Sequence, residues 1–381
     1  MAAGGEIVAK YVGHKVAKTR WSPQQQGSIV SSDTFATGGW DDEQSNKVCI
    51  WRIEDSEDGP KEKAGLPNEP VLVCETDHIG DVSDLQFLDR ERIIVASSTG
   101  TVSLYHHNFH KKSLHLHQSW DALHYLGNQG CSCTCVAVNR GTTDMVTAGE
   151  DGRINMLSLD KSHPVRTIES ADSTSINGIT YATTNEVIGV TMSGQVKLWD
   201  LRQGTDKASK TMLLSGDRVP LLCIDKHPTQ PHLLAAGGQD GVLSIWDMRR
   251  EHYPVTLLEG HNSELWEVKF HPQKPDHLFS CSQDGSLWQW DGTSMATSSL
   301  APNQSFNPNM TGNLSMVNGM DRSISAVSPW LSVDATKHRM ETFSLLSDNR
   351  LSINSLDIES RHLLCGCDCE AIFVICDLIL R

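Results

Sequence analysis

One pattern is written twice between Leu233 and Asp291. Its first copy reads Leu234-Ala235-Ala236-Gly237-Gly238-Gln239-Asp240-Gly241-Val242-Leu243-Ser244-Ile245-Trp246-Asp247, and its second runs from Leu278 through Ser282-Gln283-Asp284-Gly285 to Trp290-Asp291. Each copy has a run of small and apolar residues, an Asp-Gly pair suited to a tight turn at positive φ, and a return strand ending in Trp-Asp. The two tryptophans stand 44 residues apart. A repeat of that length, made of short strands, is one blade of a β-propeller. A single blade cannot bury its own faces, so the repeat predicts a ring.

Aligning the last residue of each return strand carries the pattern along the chain, through Trp51, Tyr105, Leu157, Trp199, Trp246, Trp290 and Cys376. The reading is an all-β, seven-bladed WD40 β-propeller. Residues 1–5 are expected to be disordered and 6–381 to form one domain, with surface insertions at about 54–70 and 292–324. Both insertions are polar and poor in core-forming residues. Order is expected to resume with an outer strand at 339–346. Only three residues follow Leu378, too few for the outer strand that blade seven still lacks. The alternating segment Glu6–Tyr11 can supply it, closing the ring and removing its open sheet edges.

A net charge of −15 opposes direct, nonspecific binding to nucleic acid or anionic lipid and favours a protein partner. No segment approaches the roughly 18 apolar residues of a membrane helix, and Met1–Lys10 lacks an apolar signal core, so a soluble, unsecreted protein without membrane insertion is expected. Eleven cysteines, an odd number, suit reduced thiols better than a disulfide framework.

The recurring Trp-Asp and Asp-Gly residues, with His261, read as scaffold rather than catalytic groups. Cys131-Cys133-Cys135 and Cys365-Cys367-Cys369 alternate as strand residues do and lack zinc-type spacing, so they read as small buried side chains. The histidine-rich stretch His106–His117 reads as a polar loop. No nucleophile elbow, metalloprotease helix, phosphate loop or dinucleotide fingerprint is present. No enzyme, cofactor or metal is expected. No aromatic cage for methyl-lysine is evident from spacing.

Two sets of residues remain as partner-binding candidates. Trp266 stands at the start of blade six's inner strand, where a large aromatic can anchor an interface or pack inside the ring. Ser83 and Asn177 hold the equivalent position in blades two and four, and Arg218 lies in the corresponding connection of blade five. The second set is Arg202 and Arg249, each three residues after a tryptophan in consecutive blades. Trp-Asp-x-Arg resembles the adaptor-binding motif of WD40 substrate receptors of cullin-RING ubiquitin ligases. Each Arg can equally form a local surface pair.

Longer stretches resemble one family more specifically. Phe35-Ala36-Thr37-Gly38-Gly39-Trp40-Asp41, Gly149-Glu150-Asp151-Gly152-Arg153-Ile154-Asn155, Gly216-Asp217-Arg218-Val219-Pro220 and Leu265-Trp266-Glu267-Val268 are similar to the forty-three-kilodalton WD40 nucleoporins, and the similarity runs through essentially the whole chain. It implies a non-enzymatic scaffold of the Y-shaped outer-ring complex of the nuclear pore, with a second residence at mitotic kinetochores. The partner it implies is the α-solenoid nucleoporin of the short arm. The isolated chain is expected to be monomeric.

Overall fold

The structure is a computed structural model and describes residues 5–24, 32–41, 45–53, 68–140, 142–213, 218–250, 252–293, 328–331, 340–347 and 349–380. The readings made for residues 1–4, for most of the 54–70 insertion and for 294–324 fall outside these residues. Seven four-stranded antiparallel sheets form the blades of a propeller. Their inner strands are Lys15–Trp21, Val82–Phe87, Cys133–Val138, Ile176–Thr183, Leu221–Lys226, Leu265–Phe270 and Ile353–Glu359, in blade order.

Blade seven is completed as the sequence suggests. Glu6–Tyr11 pairs antiparallel with Ala371–Cys376, from Glu6 opposite Cys376 to Tyr11 opposite Ala371. Val8 is its buried residue. The register sets Ile375, rather than Cys376, opposite Leu363, the place held by Trp246 opposite Leu234 in blade five.

Every strand reverses direction relative to its neighbour, so each blade has two distinct ends. On the upper face lie the connections from each outer strand to the next inner strand and the turns between second and third strands. Gly152, Gly241 and Gly285 occupy those turns at φ of 70°, 81° and 83°. A Cβ on Gly241 would stand 2.6 Å from the His261 carbonyl, so glycine is required there for space as well as for conformation. The lower face carries the remaining connections.

The core lies between blades, where the inward faces of neighbouring sheets meet. Trp199, Trp246 and Trp290 are fully buried there. In blade six one hydrogen-bond chain crosses the sheet. Trp290 Nε1 donates to Ser280 Oγ at 2.8 Å, Ser280 lies 2.6 Å from His261 Nε2, His261 Nδ1 lies 2.7 Å from Ser286 Oγ, and Ser286 donates to Asp284 at 2.5 Å. Asp284 therefore reaches His261 mainly through Ser286. Burial lowers the His261 pKa to about 4, against the pull of Asp284, so the ring is neutral.

Several expectations need correction. The histidine-rich stretch is an outer hairpin rather than a loop, because His106 and His107 end the strand Val102–Asn108 while His115 and His117 lie in Ser113–Trp120, with His106 opposite His115. The outer strand of blade six is shorter than 339–346, spanning Glu341–Ser344. Cys367 ends a strand and Cys369 lies in the turn that follows it, with Cα atoms 5.4 Å apart. Cys133, Cys135 and Cys365 are buried free thiols, and burial pushes the latter two up to about 12.

The chain beyond Thr293 returns at Ser328, where a single helical turn, Pro329–Leu331, plugs the lower end of the seam between blades five and six. Trp330 is fully buried. Its Nε1 donates to the Pro275 carbonyl at 2.9 Å, its carbonyl accepts from Thr256 Oγ1 at 2.9 Å, and its ring meets Phe270 edge-on at 5.8 Å.

Candidate docking surfaces

An inner strand is a sheet edge, and seven such edges facing a central channel would leave backbone groups without partners. The chain resolves this with one device repeated seven times. In every blade the pairing slips by one residue near the start of the inner strand, at Ala17, Ser83, Thr134, Asn177, Leu222, Trp266 and Asn354. A bulge of this kind re-aims one side chain out of the alternation. At five of the seven, Ser83, Thr134, Asn177, Trp266 and Asn354, that side chain meets the following blade.

Ser83 Oγ donates to the Cys133 carbonyl and Thr134 Oγ1 to the Ile176 carbonyl. Asn177 Nδ2 donates to the Leu221 carbonyl at 2.8 Å, and Asn354 Nδ2 to the Val16 carbonyl at 3.0 Å. Trp266 Nε1 reaches Ser352 Oγ at 3.1 Å. Three of the partner-binding candidates, Ser83, Asn177 and Trp266, are therefore brought together as equivalents, and each holds one blade to the next. Arg218 lies apart from them, exposed in the connection from blade four to blade five.

Deeper in the channel, acidic side chains do the same for backbone amides. Asp84 accepts from Val136 N at 2.9 Å, Glu267 from Leu356 N at 3.0 Å, Asp225 from Phe270 N at 2.8 Å and Asp357 from Trp21 N at 2.8 Å. Two of these carboxylates, Glu267 and Asp84, meet one guanidinium. Arg20 Nη2 lies 2.6 Å from Glu267 Oε1 and 3.3 Å from Asp84 Oδ1, while its Nη1 lies 3.1 Å from both Glu267 Oε2 and Ser355 Oγ. Burial pushes the Glu267 carboxyl up, but Arg20, Lys18 and Lys269 overcome it and hold the group at about 2. The sequence reading did not find this cluster. Arg20 and Glu267 are 247 residues apart in the chain, and nothing local marks them as partners.

On the lower face, Arg202 and Arg249 project from consecutive blades with side chains 66% and 61% exposed. Each is held by the carboxylate two residues before it. Arg202 meets Asp200 at 2.9 and 3.0 Å, and Arg249 meets Asp247 at 2.7 and 2.9 Å. The Asp200 carboxyl is lowered to about 2 by hydrogen bonds from Arg202. The two guanidinium groups are fixed in direction and already paired.

The upper face carries a feature that the sequence reading passed over, a small hairpin inserted before blade three. Tyr125–Leu126 pairs with Gln129–Gly130, and all four residues are exposed. Gly127-Asn128 at its tip is a turn signal that could have revealed it. Two side chains, Asp151 and Arg153, hold its base through three contacts. Tyr125 N donates to Asp151 Oδ2 at 3.0 Å, Arg153 Nη1 donates to the Tyr125 carbonyl at 2.8 Å, and the Arg153 guanidinium lies 3.8 Å from the Tyr125 ring centre. Among the described residues no group of three or more His, Cys, Asp or Glu side chains is placed to hold a metal ion.

Comparison with known proteins agrees with this architecture. Residues 209–247 and 252–291 match the WD domain, G-beta repeat family, each match running from one blade's outer strand through the next blade's Trp-Asp. The chain is 44% identical over 378 residues to human nucleoporin Nup43, covering 97% of this chain and 98% of that protein. Mouse nucleoporin Nup43 is 44% identical over 380 residues, with the same coverage. The nuclear pore complex protein nup43 of Dictyostelium discoideum is 33% identical over 125 residues, 32% of this chain and 29% of that protein.

Proposed function

Because the chain belongs to the Nup43 family of nucleoporins, we propose that it is a non-enzymatic scaffold subunit of the outer-ring, Y-shaped complex of the nuclear pore. In this reading it serves pore assembly and nucleocytoplasmic transport at the nuclear envelope, and kinetochores in mitosis. Its immediate partner is the α-solenoid nucleoporin of the short arm. The chain alone is a monomer. The observation that carries the reading is 44% identity sustained over 97% of this chain and 98% of human nucleoporin Nup43.

The architecture suits the role. Ser83, Thr134, Asn177, Asn354, Asp84, Asp225, Glu267 and Asp357 join blades, so the ring offers rigid outer faces on which a helical partner docks with little ordering cost. The final blade already has its outer strand, which disfavours blade completion by a partner's strand.

The exposure of Arg202 and Arg249 on consecutive blades supports a second reading, a substrate receptor of a cullin-RING ligase. Their pairing with Asp200 and Asp247 weighs against it, since an adaptor would have to compete with a bidentate partner. One experiment separates the two readings. The tagged chain and its Arg202→Ala/Arg249→Ala variant are cross-linked in a gentle interphase lysate and analysed by mass spectrometry. Stoichiometric outer-ring nucleoporins in both samples support the scaffold. A ligase adaptor that dominates the wild type and vanishes from the variant, with no nucleoporin in either, rejects it.

A further inference from the structure

The two faces of the ring differ in chemistry. Upper-face connections of blades two to four expose Ile79, Tyr125, Leu126 and Met192, with Ile79 83% and Leu126 59% exposed. Beside them stand the carboxylates of Asp81, Asp121, Glu150 and Glu169. The cations on this side are largely committed. Lys15 pairs with Asp41, Arg153 with Asp151 and Glu169, and Lys197 with Asp172. On the lower face, Arg202, Arg249, Lys274 and Arg361 stand among acidic residues and give no comparable excess of one sign.

We infer that this arc of the upper face, centred on the Tyr125–Leu126 hairpin, is a docking surface for a basic amphipathic helix of another nucleoporin subunit. The inference rests on the scaffold reading above and assigns its contact face. Three features argue for it. Exposed apolar side chains on the same arc as Asp81, Asp121 and Glu150, carboxylates that no Lys or Arg pairs among the described residues, match a helix with an apolar stripe flanked by Lys or Arg. The hairpin contributes nothing to any blade sheet, yet its base is fixed by Asp151 and Arg153, so Tyr125 and Leu126 are presented in a set geometry and lose little freedom on contact. The excess of negative charge disfavours a second copy of the same face and disfavours nucleic acid.

The test uses the native assembly isolated on the tagged full chain and a carbodiimide, which joins carboxylates directly to lysine amines in contact. The expected result is cross-links from Asp81, Asp121 or Glu150 to lysines on a helix of a nucleoporin subunit. Ile79→Asp/Leu126→Asp should lose those cross-links and lower recovery of that subunit at least about tenfold, since two central apolar contacts are replaced by like charge. Recovery by the wild type should also fall with rising salt. Thermal melts verify folding. Asp121→Lys/Glu150→Lys, which changes only exposed carboxylates, gives the same reading if the first variant melts early.

Cross-links to nucleoporin lysines solely from lower-face carboxylates such as Asp206 or Asp276 overturn the surface assignment. Undiminished recovery by folded variants overturns it too, and so does a wild-type dimer that the variants abolish. A wild-type chain that carries no nucleoporin overturns the scaffold reading and the surface with it.

Discussion

Replacing Arg20 by Met tests the reasoning about the channel most directly. Arg20 and Glu267 are 5% and 6% exposed, and their closest approach is 2.6 Å. At an effective dielectric near 20, unit charges about 3–4 Å apart attract by roughly 4–6 kcal/mol, part of which offsets desolvation. Removing only the guanidinium leaves the Glu267 carboxylate among Leu356 N, Ser355 Oγ and the more distant lysines. The expected loss of stability is about 3–5 kcal/mol. Arg20→Met/Glu267→Gln should recover at least half of it, because the amide keeps an acceptor for Leu356 N while removing the buried charge.

The pH dependence has a definite sign. Wild-type Glu267 is held near 2, so its contribution is present above the unfolded value of 4.5 and is lost as pH falls from 4.5 through 2. Without Arg20 the burial penalty meets less opposition, so the variant's deficit should be larger at pH 7 than at pH 4. Equilibrium urea unfolding followed by tryptophan fluorescence measures both quantities. A single-variant loss below about 1 kcal/mol, or a double variant less stable than the single, would refute the account.

Other consequences can be checked in the same way. Deleting residues 1–12 removes the outer strand of blade seven, and a loss of several kcal/mol with aggregation through the bared Ala371–Cys376 edge is expected; unchanged denaturation and monodispersity would contradict the closure. A Cβ on Gly292 would stand 3.2 Å from Pro329, so joining Thr293 to Ser328 should leave the denaturation midpoint nearly unchanged, whereas Trp330→Ala should cost about 3–5 kcal/mol. Burial holds His78 and His261 near 4, so both stay neutral in the fold while the unfolded chain takes up protons below 6.5. Stability should therefore decline as pH falls from 6.5 to 4, by on the order of 3 kcal/mol for each ring, and a flat profile across that window would count against their neutral assignment.

What the sequence revealed was whatever the backbone demands of a particular residue type. Gly241 and Gly285 show where the chain must enter a left-handed turn, Trp246 and Trp290 fix the blade period, and the alternation of Glu6–Tyr11 marks a strand. The bulge position had no such signature. Ala17, Ser83, Thr134, Asn177, Leu222, Trp266 and Asn354 share a register shift but no chemistry. Trp266 stood out by its side-chain type, and Ser83 and Asn177 by holding its equivalent position, but neither ground could show that all three join blades. The Arg20 cluster was hidden for a different reason, since ion pairs across a ring depend on closure rather than on local spacing. The Tyr125–Leu126 hairpin was passed over because it belongs to no blade.

The closing strand also imposes a timetable on synthesis. Glu6–Tyr11 is translated first, but its partner Ala371–Cys376 does not exist until about 360 residues later, an interval of roughly 20–70 s at ordinary elongation rates. Throughout that time a growing ribbon of blades has two unmatched ends. A product cut short before Ala371 cannot close however long it waits, and it keeps the strand at its beginning without a partner in the last blade.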